Sequence, residues 1–233
     1  MNAHKYKAKL AVLNGKTPMP KLKDDPEALM DMKELLDSLY KCMAGYYADY
    51  GIKWMTGLKR YLDDKKGSIS RPFTDNPARG HIVEVDLFGH FNKELTFIHP
   101  AVVLYENNEG LMLIAPISTS KHGSPNSLHI DVDENDGLKH PCGVCVTDIR
   151  VIDKSRVLFQ HESEGKKSKL RPEKLDEIDN AILQNYLPIY HQRFLELENT
   201  LLKEQEEHAN TKAELQRTKE LLAKMEVAAT EKT

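Results

Sequence analysis

Between residues 67 and 172 the chain breaks often. Gly and Pro recur, and the apolar runs between them are short: 82–87, 101–105, 111–117, 128–132 and 144–149. Runs of this length bounded by turn residues read as strands. Asn107-Asn108-Glu109-Gly110 separates the second run from the third, as a tight hairpin needs. No helical pattern lies between the runs, so a parallel sheet with crossover helices is excluded. A small β-barrel or a strongly coiled sheet is expected.

Both flanks read differently. Residues 26–66 carry Leu29, Met32, Leu35, Leu36, Leu39 and Met43 at helical spacing, and after Gly51 the pattern resumes with Trp54, Leu58, Tyr61 and Leu62. Asp25 is a suitable N-cap and Pro26 suits a first turn, so one bent helix or two helices are predicted. Tyr46, Tyr47, Tyr50 and Trp54 are expected to pack on the chain or on a partner, with base stacking as the alternative. Ahead of them, residues 1–23 hold six lysines and no acid, with Gly15, Pro18 and Pro20 as breakers. This reads as a solvated, flexible basic arm; contact with phosphates is the functional alternative.

Beyond Pro172, Leu175, Ile178, Ile182 and Leu183 form an amphipathic face. A seven-residue track then runs through Leu187, Phe194, Leu201, His208, Leu215 and Leu222, with a companion through Leu183, Tyr190, Leu197, Glu204, Thr211, Thr218 and Met225. Two such tracks make a heptad seam, weakened in its middle by Glu204, His208 and Thr211. A coiled coil over residues 187–228 is expected, joining a homo-oligomer or another chain. The organisation predicted is thus a basic arm (1–24), a helical extension (25–77), a β domain with its closing helix (78–187), and a coiled coil with a tail (188–233).

Composition narrows the function. The chain has 233 residues, 40% hydrophobic and 30% charged, with a net charge of −3. One core built from the whole chain is therefore not expected. Any nucleic-acid contact must come from a local patch. No apolar run approaches the roughly 18–20 residues that span a bilayer, and no secretory signal is read at the start. A cytoplasmic protein without membrane contact is the default expectation. Three cysteines argue against a disulfide framework.

Two motifs invite chemistry. Cys142-Gly-Val-Cys145 is a CxxC behind His140, but a zinc site needs a second close pair of ligands, and Cys42 is remote in sequence. A redox pair would want a helix N-terminus, whereas this one leads into a strand. A buried strand position for one of the cysteines is the plainer reading, and neither metal nor cofactor is expected. Among the histidines of the β zone are His81, His90, His99, His122, His129 and His140. His99 stands out because Pro100 forces it into an extended conformation at the mouth of the second strand.

These residues resemble the PemK/MazF toxin endoribonucleases. Arg79-Gly-His-Ile-Val-Glu-Val-Asp86 is similar to that family's first barrel strand, and His99-Pro-Ala-Val-Val-Leu104 resembles its Arg-Pro-Ala-Val-Val-Leu strand. Leu113-Ile-Ala-Pro-Ile-Ser-Thr-Ser120 resembles the next strand with its hydroxyl-rich turn. Asp148-Ile-Arg-Val-Ile-Asp-Lys-Ser-Arg156 resembles the family's Gln-Ile-Arg-Thr-Ile-Asp-Lys segment. The resemblance covers about residues 78–187. It implies an α+β fold with an SH3-like barrel that commonly dimerises, metal-independent cleavage of single-stranded RNA, and a cognate antitoxin as partner. In that chemistry a ribose 2′-OH attacks the adjacent phosphorus, which requires a base, an acid and donors for the charged phosphorane.

The resemblance assigns His99, Ser118 and Thr119 to catalysis: His99 as acid or base in place of the family's arginine, Ser118 and Thr119 as phosphate donors where the family has threonine. Lys121, Arg150, Lys154 and Arg156 are the candidates for binding RNA. Cys145, Thr147 and Asp148 depart from positions where family members carry Arg, Asp and Gln. An imidazole exchanges protons near neutrality but does not copy arginine's permanent bidentate clamp. The rival expectation is therefore an inactive barrel that binds DNA, RNA or protein and is oligomerised by its coiled coil.

Overall fold

The computed structural model describes residues 3–68, 73–89, 92, 94–107, 109–163 and 165–230, with side chains described as far as residue 221. The chain divides into two compact units, residues 1–74 with 85–98, and residues 75–84 with 99–233.

The first unit is helical: α1 (Ala3–Leu13), α2 (Pro26–Ala44) and α3 (Ala48–Lys65). The predicted breakers act where expected, but residues 3–13 ahead of them form a helix, whereas a flexible arm was expected. Tyr6 donates its hydroxyl hydrogen to Asp31 Oδ2 at 2.7 Å. Lys5 pairs with Glu27 at 2.5 Å and Lys9 pairs with Asp25. Two lysines of the segment read as a solvated basic arm thus pair with the acidic start of α2. That start is capped as the sequence predicts, since the Asp25 carboxylate accepts the Ala28 N–H at 3.1 Å and Pro26 fills the first turn. The break between α2 and α3 falls at Gly45, and Gly51 lies inside α3.

Three of the four aromatics pack within this unit. Tyr46 meets Tyr50 edge-on at 4.9 Å, Tyr50 meets Phe97 at 5.1 Å, and Trp54 meets Phe88 at 5.0 Å. Tyr47 is the exception, 88% exposed. Gly57 makes the Phe88 contact feasible, because a Cβ there would lie 2.3 Å from the ring.

The second unit carries the sheet. Its strands are β1 (Ile82–Asp86), β2 (Ile98–Glu106), β3 (Leu111–Ser118), β4 (His129–Val132), β5 (Cys142–Cys145), β6 (Arg150–Asp153) and β7 (Val157–Gln160). The end of β1 and Ile98 belong to the first unit. The strand order is β4-β5-β3-β2-β1-β7, and β6 also pairs with β3. Along β3, residues Leu111 to Ile114 pair with β6 and residues Ile117 and Ser118 pair with β5. Of the two forms expected, barrel or coiled sheet, the pairing is that of an antiparallel sheet whose path does not close into a ring. A short hairpin, β8 (Glu162–Ser163) with β9 (Lys166–Lys167), precedes the last two helices, α4 (Pro172–Tyr186) and α5 (Pro188–Thr230).

The first three predicted strands form where expected. The run at 144–149 does not: β5 ends at Cys145, a 3₁₀ turn takes Val146–Asp148, and β6 begins at Arg150. The fold is α+β. Its core joins Ile82, Val102, Ala115, Ile117 and Val144 on the sheet, and Val146 of the 3₁₀ turn, to Leu175, Ile178 and Ala181 of α4. The alternate residues Val83, Val103, Met112 and Ile114 are equally inaccessible, so the sheet is buried on both faces.

Candidate active site

Burial on both faces leaves the strand ends for chemistry. In the β2–β3 ladder Ala101 pairs with Pro116. That pair is the last of the ladder; continued two residues further out, the same register would set His99 opposite Ser118. Paired residues of an antiparallel ladder point to the same face, with Cα atoms about 5 Å apart. His99 is half-buried ahead of Pro100, and Ser118 is half-buried at the end of β3.

Ser118 opens a 3₁₀ turn, Thr119–Lys121, whose side chains face solvent more freely: Thr119 and Ser120 are exposed and Lys121 is half-buried. The Ser118 and Ser120 hydroxyls lie 3.0 Å apart. The turn is fastened to the neighbouring strands. His122 Nδ1 lies 3.3 Å from the Cys142 carbonyl oxygen and 3.5 Å from Asp131 Oδ1. The Gly123 N–H donates to the same Asp131 oxygen at 2.9 Å. His129 Nδ1 lies 2.8 Å from Ser124 Oγ.

Gly143 allows this arrangement. It pairs with Ser118 on one side and Asp131 on the other, and a Cβ there would lie 2.6 Å from the Lys121 carbonyl oxygen. A glycine inside a strand lets another backbone approach closely, and here the approaching backbone is the serine-rich turn. Burial, with the Lys121 charge adding to it, lowers the His129 pKa and favours the neutral ring.

The other expected binding residues are dispersed. Arg150 pairs in register with Ile114, about 13 Å along β3 from Ser118. Its Nε donates to the Asp148 carbonyl oxygen at 3.3 Å, and its Nη2 lies 3.6 Å from the Asp148 carboxylate. Lys154 lies at the opposite end of β3, about 23 Å from Ser118 by strand rise; its N–H donates to Gly110 O at 2.9 Å. Its ammonium meets Asn76 Oδ1 and lies 3.8 Å from Glu106. Arg156 closes the same 3₁₀ turn as Lys154. Ser118, Thr119 and Lys121 thus lie together at one end of β3, with His99 near the start of β2; Lys154 and Arg156 lie at the other end, and Arg150 between.

The CxxC is structural. All four residues of β5 are buried. Strand alternation sends residues three apart to opposite faces, so Cys142 and Cys145 do not face one another. Burial raises both thiol pKa values, that of Cys145 to about 11. Among the described residues no group of three or more His, Cys, Asp or Glu is placed to hold a metal ion.

Sequence reasoning named Ser120, His122 and His129 without giving them a place in this turn, and missed Asp131 and Gly143. Ser120 and His122 lie in the unbroken polar run from Ser118 to His122. Gly143 was marked only by being a glycine in a strand.

Residues 78–186 match the family described as PemK-like, MazF-like toxin of type II toxin–antitoxin systems. The match covers somewhat less than half of the chain. Solved structures similar to it include MazF (Form-I) from Deinococcus radiodurans, 17% identical, spanning 48% of this chain and 96% of that one with a TM-score of 0.39. The MazE–MazF complex (Form-II) from the same organism is 18% identical over 48% and 96%, with a TM-score of 0.36. Mycobacterium tuberculosis toxin MazF-mt6 is 17% identical over 46% and 95%, also at 0.36. No curated protein matches.

Proposed function

We propose that this chain is a toxin-type endoribonuclease that cleaves single-stranded RNA through attack of the ribose 2′-OH. The observation that carries the proposal is the family match over residues 78–186. Within that segment the open sheet is read as the family's SH3-like barrel, and 78–187 as the unit that acts on RNA.

The roles follow from the register. Extending the β2–β3 register two residues past its last pair sets His99 and Ser118 on one face, as one reacting phosphate requires. His99 exchanges the proton of the 2′-OH or of the leaving 5′-oxygen. Ser118 and Thr119 donate hydrogen bonds to phosphate oxygens, and Lys121 is the cation adjoining them. Arg150 stabilises charge further along the strand. Lys154 and Arg156 are assigned to backbone phosphates several nucleotides away. All these groups are side chains, so the mechanism calls on no metal. The family description implies a cognate antitoxin, which on this reading covers the His99–Ser118 end. Among the described residues no helix is long and apolar enough to cross a membrane.

The test is an RNA digest with analysis of product ends. The expected products carry 2′,3′-cyclic phosphate and 5′-OH, at a rate unchanged by chelator. Protein that binds RNA yet yields no such ends at any pH would leave a binding module in place of the enzyme.

A further inference from the structure

Helix α5 is 43 residues long, about 65 Å at the usual rise. Every residue from Gln192 to Leu221 is exposed. The exposure includes large apolar side chains: Phe194 at 52%, Leu197 at 70%, Leu201 at 54% and Leu215 at 54%. With Leu187 and Tyr190 these occupy two positions of a heptad, a and d. Most helix stability in proteins comes from packing of an apolar face, and this stretch of α5 presents an apolar seam that is exposed.

The charges beside the seam identify its occupant. Arg193, Glu207 and Glu214 fall at heptad position g, and Glu198, Lys212 and Lys219 at position e. They make three opposite-sign pairs, Arg193 with Glu198, Glu207 with Lys212, and Glu214 with Lys219, each five residues apart. Side chains meet within a helix at spacings of three or four. The side-chain bonds within α5 join Gln192 to Glu196 and Gln216 to Glu220, and tie threonine hydroxyls to carbonyl oxygens four residues back. Among the described residues none of the three charge pairs forms within the helix. Five is the spacing at which a g residue meets the e residue of the following heptad on a second, parallel helix in the same register.

We infer that α5 is the seam of a parallel, in-register homodimer, and that the partner is a second copy of this chain. An antiparallel pairing sets g against g and e against e and unites none of the three pairs. The polar seam residues Glu204, His208 and Thr211 lower its strength and penalise slipped registers. Parallel pairing brings the two sheet units to the same end of the coil, since α5 follows α4 directly.

The test uses the full chain with Cys42→Ser, which removes the exposed thiol, and Leu201→Cys, which places one thiol at a seam position. Mild oxidation is expected to give a disulfide-linked dimer. Adding Lys212→Glu and Lys219→Glu is expected to lower the yield at least fivefold. Adding Glu207→Lys and Glu214→Lys to that chain swaps both pairs and is expected to restore it. Sedimentation of the same chains without Leu201→Cys follows the association independently of the introduced thiol. A monomer with native charges, a dimer that does not cross-link at residue 201, or a yield indifferent to the charges would overturn the inference. So would loss of dimer without rescue by the swap.

Discussion

α4 and α5 are consecutive helices separated by one residue, Leu187, and Pro188 enforces the break. Both carry apolar residues at helical spacing. α4 buries Leu175, Ile178 and Ala181 against the sheet, while α5 buries nothing from Gln192 to Leu221. Anchors account for part of the contrast. Arg79 holds α4 from the side, donating to Asp179 at 2.6 Å and to the Leu104 carbonyl oxygen at 3.3 Å. Tyr186 donates to the Val146 carbonyl oxygen at 3.0 Å. An apolar stripe alone does not tell whether a helix closes its own domain or waits for another chain. The charges beside it help: in α4, Lys174 pairs with Glu177 and Asp179 with Arg79, whereas the three pairs of α5 are five residues apart, the spacing for a second helix.

The largest effect expected from this contrast is in the core. Ile178→Ala should destabilise the sheet unit by about 3 kcal/mol, the usual cost of emptying a fully buried aliphatic site. Leu201→Ala should change the unfolding of that unit by less than about 0.5 kcal/mol while weakening dimerisation. Thermal unfolding and sedimentation of the two variants separate the effects. Equal loss of stability in both would break the comparison.

Next in size is the anchor at the start of α4. Asp136 is fully buried, and Arg171 donates to it from Nε at 2.8 Å and from Nη2 at 3.1 Å. Burial opposes its charge, but the Arg171 guanidinium and the Asp133 and Arg171 amides outweigh burial and hold the carboxyl below its ordinary pKa. Folding therefore releases this proton, and the stabilisation is complete above the unfolded pKa of about 3.9. It is lost as pH falls through the lower, folded value. Asp136→Ala should cost about 2 kcal/mol at pH 7. Its deficit should shrink in acid, which urea titrations at pH 7 and below pH 4 will measure.

The smallest effect is chemical. Cys42 is exposed, whereas Cys142 and Cys145 are buried with raised thiol pKa values. Iodoacetamide at pH 8 should modify Cys42 alone in the native protein and all three residues in denaturant. Rapid native labelling of Cys145 would show that β5 is less sealed than its burial indicates.

The β2–β3 hairpin was legible because its turn residues do local work: the Asn107 side chain accepts the N–H groups of Glu109 and Leu111. The N-cap of α2 was legible for the same reason. The β5–β6 break was not, because the apolar run continues through residues where the chain turns, and Thr147 and Asp148 are its only polar interruption. β7 was missed because four residues after a charged turn give too little alternation to read. At the candidate site, that the start of β2 and the end of β3 lie at one end of the sheet could be read from sequence once the hairpin was seen. The fastening of the turn could not, since Gly143 matters through the backbone that lies over it, and no pattern in the chain records that contact.

The measurement that tests the functional account most directly is the yield of 2′,3′-cyclic phosphate ends from single-stranded RNA by the native chain and by His99→Ala and His99→Arg. The account predicts cleavage by the native chain, a loss of roughly 100-fold or more in His99→Ala with unchanged thermal unfolding, and an altered pH profile in His99→Arg. Native protein that cleaves RNA equally well after His99→Ala, or one that cleaves only after His99→Arg, would contradict it.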